Sequence, residues 1–192
     1  MREDVERTQS YRLLNHGPTV IVSAAHEGRR NAMAAAWSVP LEFDPPRIAV
    51  VLDKSTFTRK LVEASGEYAV SVPCRPFADA TYTLGTTSGA EIEDKFARFG
   101  LATFAGRHVA APLLEGCVAW LECRLVREPH AQQAYDLFVG EVLAASADPR
   151  VFAKGRWQFA AAGDALRTIH HLGGGHFVTS GDVLQAHRLA SA

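Results

Sequence analysis

Residues 44–73 read DPPRIAVVLDKSTFTRKLVEASGEYAVSVP and combine two strand patterns with one short helix pattern. The paired prolines at 45–46 predict a turn, because proline fixes a backbone dihedral and removes an amide donor. Residues 48–52 are apolar throughout, which is typical of a strand buried on both faces. A short helix is predicted over 57–65 and another strand over 67–72. The stretch therefore predicts a strand, a short helix and a second strand in succession.

Strand patterns dominate the rest of the chain as well. Four more are predicted, two in a hairpin around Gly28 and two that pair across a short turn at 128–133: 19–23, 31–37, 118–126 and 137–144. A helix over 77–84 and a flexible loop over 85–89 are also predicted. Many strands with few short helices favour a closed β-barrel, since a doubly wound parallel sheet needs crossover helices between its strands.

Composition limits the class of protein. The 192 residues fit one domain, predicted over 1–192, and their 47% hydrophobic and 21% charged residues are typical of a soluble globular protein. The formal net charge is -1 and no basic block occurs, which argues against a nucleic-acid partner. No apolar run approaches the roughly 18 residues of a membrane span. The charged N-terminal residues do not resemble a signal peptide, so a cytoplasmic location is expected.

Known catalytic and metal-binding motifs do not occur in the sequence. Cys74, Cys117 and Cys123 are odd in number and share no Cys-x-x-Cys spacing. We therefore expect reduced, mostly buried thiols rather than a disulfide framework or a zinc ribbon. Nucleophile elbows, Walker loops, dinucleotide fingerprints and His-Glu-x-x-His helices are also missing.

Lys54, Ser55 and Thr56 precede the predicted helix and have the chemistry that a phosphate monoester requires. Two hydroxyls and the free amides of a helix N-terminus can donate to its oxygens, and the helix dipole has the matching sign. Lys54 and Arg59 add positive charge. The alternative is an ordinary helix cap formed by Ser55 or Thr56, with Gly66 as the stop signal.

The strand pattern at 31–37 has almost no side-chain bulk. Alanines occupy 34–36 beside Trp37, so a planar group could approach the backbone and have its polar edge read by amides and carbonyls. A tightly packed barrel interior, where small residues alternate with large ones, is the alternative. Asn31 offers both a donor and an acceptor, although an Asn beside a turn often caps its own backbone.

Several short segments occur in a specific order along the chain. After the small-residue strand come Asp44-Pro45-Pro46, the Ser-Thr-x-Thr helix start, GEYAVSVP at 66–73, DKF at 94–96, PLLEG at 112–116, LEC at 121–123 and FVGEV at 138–142. This order resembles the flavin-reductase-like (flavoredoxin) family over about 18–142, with a weaker echo at 172–174. The resemblance implies a mainly β fold, namely an FMN-binding split β-barrel of Greek-key type, usually built as a homodimer. The barrel core would cover about 18–145 and a C-terminal extension about 146–192, whose tail from 181 is expected to be a helix or an arm.

The resemblance also implies roles by position. The residues that would line the isoalloxazine ring and ribityl chain, largely through backbone groups, are Asn31, Met33, Ala34, Ala35, Ala36 and Trp37. Those that would hold the phosphate are Ser55, Thr56 and Arg59, with Lys54 nearby. Lys95 would close over the cofactor from the loop that begins near Thr86. Gly85 stands where related proteins often carry Cys, which argues against a thiol-dependent role.

FMN is the implied cofactor, in preference to FAD, with NAD(P)H as a possible co-substrate. Three functions stay open: an NAD(P)H-dependent flavin reductase, a non-enzymatic flavoredoxin that exchanges electrons with a protein partner, and a cofactor-free binding module. His170, His171 and His176 surround a glycine cluster in a spacing that matches no zinc motif, so no metal is predicted. Either His171 or His176 packs near the flavin or its nicotinamide partner, or these histidines lie on a surface loop.

Overall fold

The computed structural model describes residues 2–13 and 17–189. Its strands are β1 (Glu3–Val5), β2 (Val20–His26), β3 (Arg29–Ala35), β4 (Ser38–Phe43), β5 (Pro46–Val51), β6 (Glu67–Val72), β7 (Thr103–Phe104), β8 (Leu113–Leu114), β9 (Ala119–Val126), β10 (Leu137–Ala147), β11 (Phe152–Ala153), β12 (Arg156–Trp157), β13 (Ile169–Gly173) and β14 (His176–Thr179). Its α-helices are α1 (Phe57–Ser65), α2 (Ala78–Thr86), α3 (Lys95–Arg98) and α4 (Pro129–Tyr135), and short 3-10 helices cover Arg7–Leu13, Arg75–Phe77 and Asp164–Leu166. Among the described residues, none of the helices has the length and apolar character needed to cross a membrane.

One antiparallel sheet carries most of the chain. Its strands follow the order β3-β2-β6-β9-β10-β5-β4, and β1 adds to β10. The strands at the two ends, β3 and β4, are consecutive in the chain and are separated by Ala36 and Trp37. At this corner the Val51 amide donates to the Trp37 carbonyl at 3.0 Å. Both ends of the sheet therefore meet, so the sheet curls into a barrel, and the expected mainly β barrel is confirmed.

Helix α1 carries the chain across the barrel. It joins β5 to β6, which are separated in the sheet by β10 and β9, a long connection of the Greek-key kind. The helix packs on β2 and β3. It ends at Gly66, whose φ of 74° is left-handed and whose amide donates to the Val62 carbonyl at 2.9 Å. The helix predicted over 57–65 and its glycine stop are confirmed, and its first turn lies beside β3.

The strands predicted from the sequence are confirmed with small shifts of their bounds, but one connection is wrong. The short turn expected between β9 and β10 is helix α4, because Pro129 suits a first helical turn and Asp136 ends the helix with a φ of 55°. Helix α2 runs through Gly85 and Thr86, which were expected in the loop. In the tail, residues 181–189 form neither helix nor strand, and 190–192 lie outside the described residues.

Strand β4 escaped the sequence prediction because Pro40 interrupts its pattern. Proline cannot donate to a sheet ladder, and it is tolerated here because β4 is an edge strand whose register shifts next to Pro40. Strand β1 and the hairpin β13–β14 were not predicted either. Strand β1 extends the barrel sheet beyond the expected core of 18–145 by pairing with the end of β10.

Apolar side chains fill both faces of the sheet. Val20 and Val22 of β2 point into the barrel interior, whereas Ile21 between them joins a second cluster with Phe96 and Trp120 outside the barrel. Side chains of a strand alternate between faces, so β2 is buried on both.

The three cysteines are free and buried, as predicted. Burial raises the pKa of the Cys74 thiol to about 11. It also raises the pKa of the Cys117 and Cys123 thiols. These thiols therefore stay protonated at neutral pH and act as small apolar groups in the core.

Tyr68 of β6 reaches past the neighbouring strand β9 to Gly140 of β10. The tyrosine is fully buried, its hydroxyl has no hydrogen-bond partner among the described residues, and burial raises its pKa well above the ordinary value. A Cβ atom on Gly140 would overlap this hydroxyl oxygen. The Tyr68 side chain therefore requires a glycine at position 140.

We expect Gly140→Ala to destabilise the fold by about 1–3 kcal/mol, because the added methyl group overlaps a fixed aromatic ring. Thermal unfolding followed by circular dichroism measures the loss. Gly181→Ala is the control, since a Cβ atom there meets open space. A Gly140→Ala variant that melts like the wild type would contradict the packing described here.

Candidate functional site

A cavity of about 390 Å³ opens between β3, α2 and the hairpin β13–β14. Its lining residues come from these elements and from the start of β2: Thr19, Ala34, Ala36, Thr81, Tyr82, Gly85, Thr86, His171, Gly174 and Phe177. Among the described residues that line it, none carries a carboxylate, an ammonium or a guanidinium group. The cavity suits a flat, largely uncharged group.

Small residues bring β3 and α2 together. A Cβ atom built on Gly85 would lie 3.1 Å from the Cβ atom of Ala34. Ala32 and Ala35 are buried on opposite faces of the strand, in the two apolar clusters. Ala34 and Ala36 face the cavity instead. Each interpretation of the alanine run therefore applies to part of it: some of these residues pack the core and others leave room for a ligand.

The other predicted residues of this strand lie around the cavity. Met33 is half-buried against the barrel core, and Trp37 is 74% exposed at the corner between β3 and β4. The structure thus brings Ala34 and Ala36 into the cavity but directs Met33 and Ala35 to the core.

Asn31 lies between the first turn of α1 and the loop after α2. It is 2% exposed, and its Nδ2 donates to Thr58 Oγ1 at 2.8 Å. Its buried Oδ1 has no hydrogen-bond partner within the part of the chain that the structure describes. A Cβ atom built on Gly89 would lie 2.4 Å from the Asn31 side chain, so the loop lies directly against it. Asn31 therefore offers a free acceptor beside the helix instead of capping its own turn.

The loop before α1 leaves the helix N-terminus without a side-chain cap. Thr56 occupies the N-cap position, but its Oγ1 donates to the Asp53 carbonyl at 2.8 Å and makes no capping bond. The amide and hydroxyl of Ser55 donate to the Asp53 carboxylate at 2.8 and 2.6 Å, and these bonds lower the pKa of that carboxyl group. Among the described residues, the first-turn amides of α1 are thus left without a capping side chain, and uncapped amides of this kind can donate to an anion.

Lys54 and Arg59 differ in their exposure and in the number of acceptors that they already contact. Lys54 is exposed, and its Nζ lies 4.0 Å from Asp136 Oδ1. Arg59 is 7% exposed, and its guanidinium donates to Glu63 at 2.9 Å, to Asp136 at 2.5 Å, and to the Gln132 and Leu52 carbonyls. Burial of Arg59 acts to lower its pKa, but the bonds to Asp136 and Glu63 raise it overall. The structure therefore uses Arg59 to fix α1 to α4.

Lys95 starts α3 and is buried beneath the cavity. It is 1% exposed, and its Nζ donates to the Ala32 carbonyl at 3.0 Å and to the Leu84 carbonyl at 3.1 Å. Burial lowers the pKa of this ammonium to about 8. Lys95 thus contacts two walls of the cavity, whereas the sequence placed it on a loop that closes over the ligand.

Several residues of the site had no clear sequence signal. Tyr82 and Thr86 lie on α2, and Thr19 accepts from the His171 amide at 2.9 Å. The glycines at 85 and 89 were the available hint that a helix and a loop come close to the small-residue strand. His171 lines the cavity with its ring 5.3 Å from that of Phe177.

Within residues 2–13 and 17–189, no group of three or more His, Cys, Asp or Glu side chains could hold a metal ion.

A second cavity of about 440 Å³ lies on other residues, among them Trp120, Asp148 and Arg150. Four charged side chains line it, namely Arg2, Glu115, Asp148 and Arg150, and Asp148 and Arg150 bond to each other at 2.5 to 3.0 Å. The cavity at β3 is the better candidate for a flat, uncharged ligand, because its described lining residues carry no carboxylate, ammonium or guanidinium group.

The model of the flavin reductase like domain matches residues 11–161 of this chain. The protein belongs to the flavin reductase-like family. An uncharacterized protein of Escherichia coli K12, YddH, is 49% identical over 180 residues, which are 92% of this chain and 94% of that protein.

Solved structures give the same result. The FMN-binding domain of a flavin reductases-like enzyme from Shewanella baltica OS155 matches with a TM-score of 0.94 at 42% identity, covering 97% of each chain. Flavoredoxin of Desulfovibrio vulgaris (Miyazaki F) matches with a TM-score of 0.75 at 27% identity, covering 88% of this chain and 90% of that one. The expected flavin-reductase-like split barrel is confirmed.

The walls of the cavity differ in whether they lie within the part of the chain that matches the family. In this flavin reductase-like chain, β3 and α2 lie within residues 11–161, whereas the hairpin β13–β14 follows them. The third wall, with His171 and Phe177, therefore comes from outside the matched domain.

Proposed function

We propose that the protein binds FMN and reduces it with NAD(P)H as a flavin reductase. The observation that carries this proposal is the order of features along β3. The uncharged cavity lies at Ala34 and Ala36, and Asn31 of the same strand bonds to the first turn of α1. A strand rises about 3.3 Å per residue, so Asn31 and Ala34 are about 10 Å apart. FMN has a flat ring, a hydroxylated chain and a phosphate in the matching order.

Backbone groups of the edge strand would hold the ring. The Ala32 carbonyl accepts from Lys95, so it points away from β2. Backbone groups of an antiparallel strand point to alternate sides, and the amide and carbonyl of Ala34 therefore also point away from β2. These groups suit the donors and acceptors at the polar edge of a flavin ring, and the small side chains of Ala34 and Ala36 permit the approach.

The chain and phosphate would lie further along the strand. The free Oδ1 of Asn31 is an acceptor for a ribityl hydroxyl. The uncapped amides of α1, with Ser55, Thr56 and Lys54 beside them, suit the phosphate. Arg59 would act by fixing the helix, since its guanidinium serves Asp136 and Glu63.

The chemistry would come from the cofactor. Bound FMN would supply the capacity to accept a hydride from NAD(P)H and to pass electrons on singly or in pairs. The chain would bind and orient the ring, exclude water from its face and admit the nucleotide beside His171 and Phe177. No acid or base side chain is required for hydride transfer.

Ser55→Ala together with Thr56→Ala is expected to weaken FMN binding by at least about tenfold more than riboflavin binding, because riboflavin lacks the phosphate. Fluorescence titration of both flavins measures the two dissociation constants. Ser65→Ala, at the opposite end of the same helix, is the matched control and should leave both constants unchanged. Equal losses for FMN and riboflavin would show that the loop does not bind the phosphate.

The reductase activity is tested by mixing the protein with FMN and either NADH or NADPH and following the loss of flavin absorbance. We expect bleaching well above the rate without protein for one of the two nucleotides. Bleaching at the background rate with both would overturn the reductase. A protein that still bound FMN would then fit the second candidate, a flavoredoxin-type carrier with a protein donor or acceptor, which the structural likeness to flavoredoxin supports.

We also propose a homodimer. Exposed apolar side chains follow the edge strand β4 and the corner before it, namely Trp37 (74%), Val39 (52%), Leu41 (53%) and Phe43 (64%). Such a stripe on a sheet edge is a natural contact surface. Leu41→Arg should shift the protein toward monomer in sedimentation equilibrium, whereas Tyr135→Arg, an equally drastic change of an exposed ring on α4, should not. A wild-type mass equal to one 20.8 kDa chain would contradict the dimer.

A cytoplasmic location belongs to the same proposal. It is supported by the three free thiols, which stay reduced in that compartment, and cell fractionation tests it. The single domain over 1–192, with a core of about 18–145 and an extension of about 146–192, stays a prediction that limited proteolysis tests.

A further inference from the structure

Lys95 joins two walls of the cavity through one ammonium group. Its Nζ donates to the Ala32 carbonyl of β3 at 3.0 Å and to the Leu84 carbonyl of α2 at 3.1 Å. The side chain is 1% exposed, so these bonds are shielded from water. These two bonds therefore fix the distance between β3 and α2.

Neither carbonyl has a donor within its own element. Ala32 lies on an edge strand and its carbonyl points away from β2. Leu84 lies in the last turn of α2, where carbonyls have no intrahelical donor. A buried carbonyl without a donor costs free energy. Lys95 satisfies both groups at once and makes the close contact of the two walls possible.

Helix α3, which carries Lys95, is itself fixed to β3. The Asp94 side chain caps the helix by accepting from the Phe96 and Ala97 amides at 2.9 and 3.1 Å. Arg30 of β3 donates to the same carboxylate at 2.7 and 3.0 Å, and its guanidinium carbon lies 4.9 Å above the Phe96 ring. Asp94 and Arg30 thus pair with each other, and the groups that Lys95 meets on β3 and α2 are uncharged carbonyls.

A buried ammonium is a costly way to fill this space, since an apolar side chain of similar length would avoid the desolvation. Two close approaches to β3, one from α2 and one from the loop after it, lie on either side of the Lys95 contacts. Gly85, next to Leu84, abuts Ala34, and Gly89 abuts Asn31, next to Ala32. A small shift of α2 would therefore change the contacts at both the cavity and Asn31.

We infer that Lys95 is a positioning residue that sets the width of the cavity by tying the free edge of β3 to the end of α2. It acts on the flavin through these two walls and does not touch the phosphate. The inference rests on the proposed function for the identity of the ligand, but not for the tie between the walls.

The test compares Lys95→Met with Lys154→Met, the same change on an exposed lysine in the turn between β11 and β12. Amide hydrogen exchange of the flavin-free protein is expected to become about tenfold faster at 31–36 and 82–90 in Lys95→Met, while β9 and β10 keep their wild-type rates. The dissociation constants of FMN and riboflavin are expected to rise together by about tenfold. Lys154→Met should change neither measurement.

Several outcomes would contradict the inference that Lys95 positions these walls. A loss of FMN binding with riboflavin binding preserved would place Lys95 on the phosphate. Unchanged exchange at 31–36 and 82–90, or acceleration spread evenly over β9 and β10, would show that Lys95 does not position these walls. If Lys95→Met fails to fold, Lys95→Gln, which keeps an uncharged donor, replaces it, and failure of both would show a general role in stability. A wild type that binds neither flavin would overturn the proposed function, and the exchange measurement would still decide the role of Lys95.

Discussion

The contact between strand β3 and helix α2 constrains the rest of the site. A methyl group on Gly85 would lie 3.1 Å from Ala34, and one on Gly89 would lie 2.4 Å from Asn31. Glycines on one side and alanines on the other let a helix lie against the free edge of a sheet, which would otherwise expose unpaired backbone groups. Further along, at Ala36 and Thr86, no bulky side chain fills the gap, so the same two elements become walls of the cavity.

The two ends of the candidate site differ in charge: the cavity end is uncharged, and the end at helix α1 contains charged side chains. The cavity end has no charged side chain among its described lining residues, so shape and backbone hydrogen bonds decide what enters. At the helix end, Arg59 is neutralised by Asp136 and Glu63. At the proposed phosphate site, the groups left to attract an anion would be the first-turn amides and the exposed Lys54. Because Asp53 already accepts from Ser55, an incoming anion has to compete with a carboxylate at this loop.

Local patterns in the sequence predicted six strands of the barrel sheet (β2, β3, β5, β6, β9 and β10), helix α1 and its glycine stop, because each depends on side chains that are neighbours in the chain. The positions of Lys95 and Arg59 could not be predicted in this way. Lys95 bonds to Ala32, which is 63 residues away in the sequence, and Arg59 bonds to Asp136, which is 77 residues away, so these partners become neighbours only in the folded protein. The hairpin β13–β14 was missed for a related reason. Its sequence is short and rich in His and Gly, and its pairing depends on Thr19, which donates its amide to the Ile169 carbonyl at 2.9 Å.

This anchoring gives the hairpin a different role from the other walls. Thr19 accepts from the His171 amide, which fixes β13 beside the start of β2, and Arg167 donates to the carbonyls of Ser180 and Gly181, which ties the two ends of the hairpin to each other. The hairpin adds the rings of His171 and Phe177 to a cavity whose β3 and α2 walls lie within residues 11–161, the part of the chain that matches the flavin reductase like domain. Substitutions at His171 and Phe177 would therefore change the third wall of the cavity and leave the residues of β3, α1 and α3 as they are.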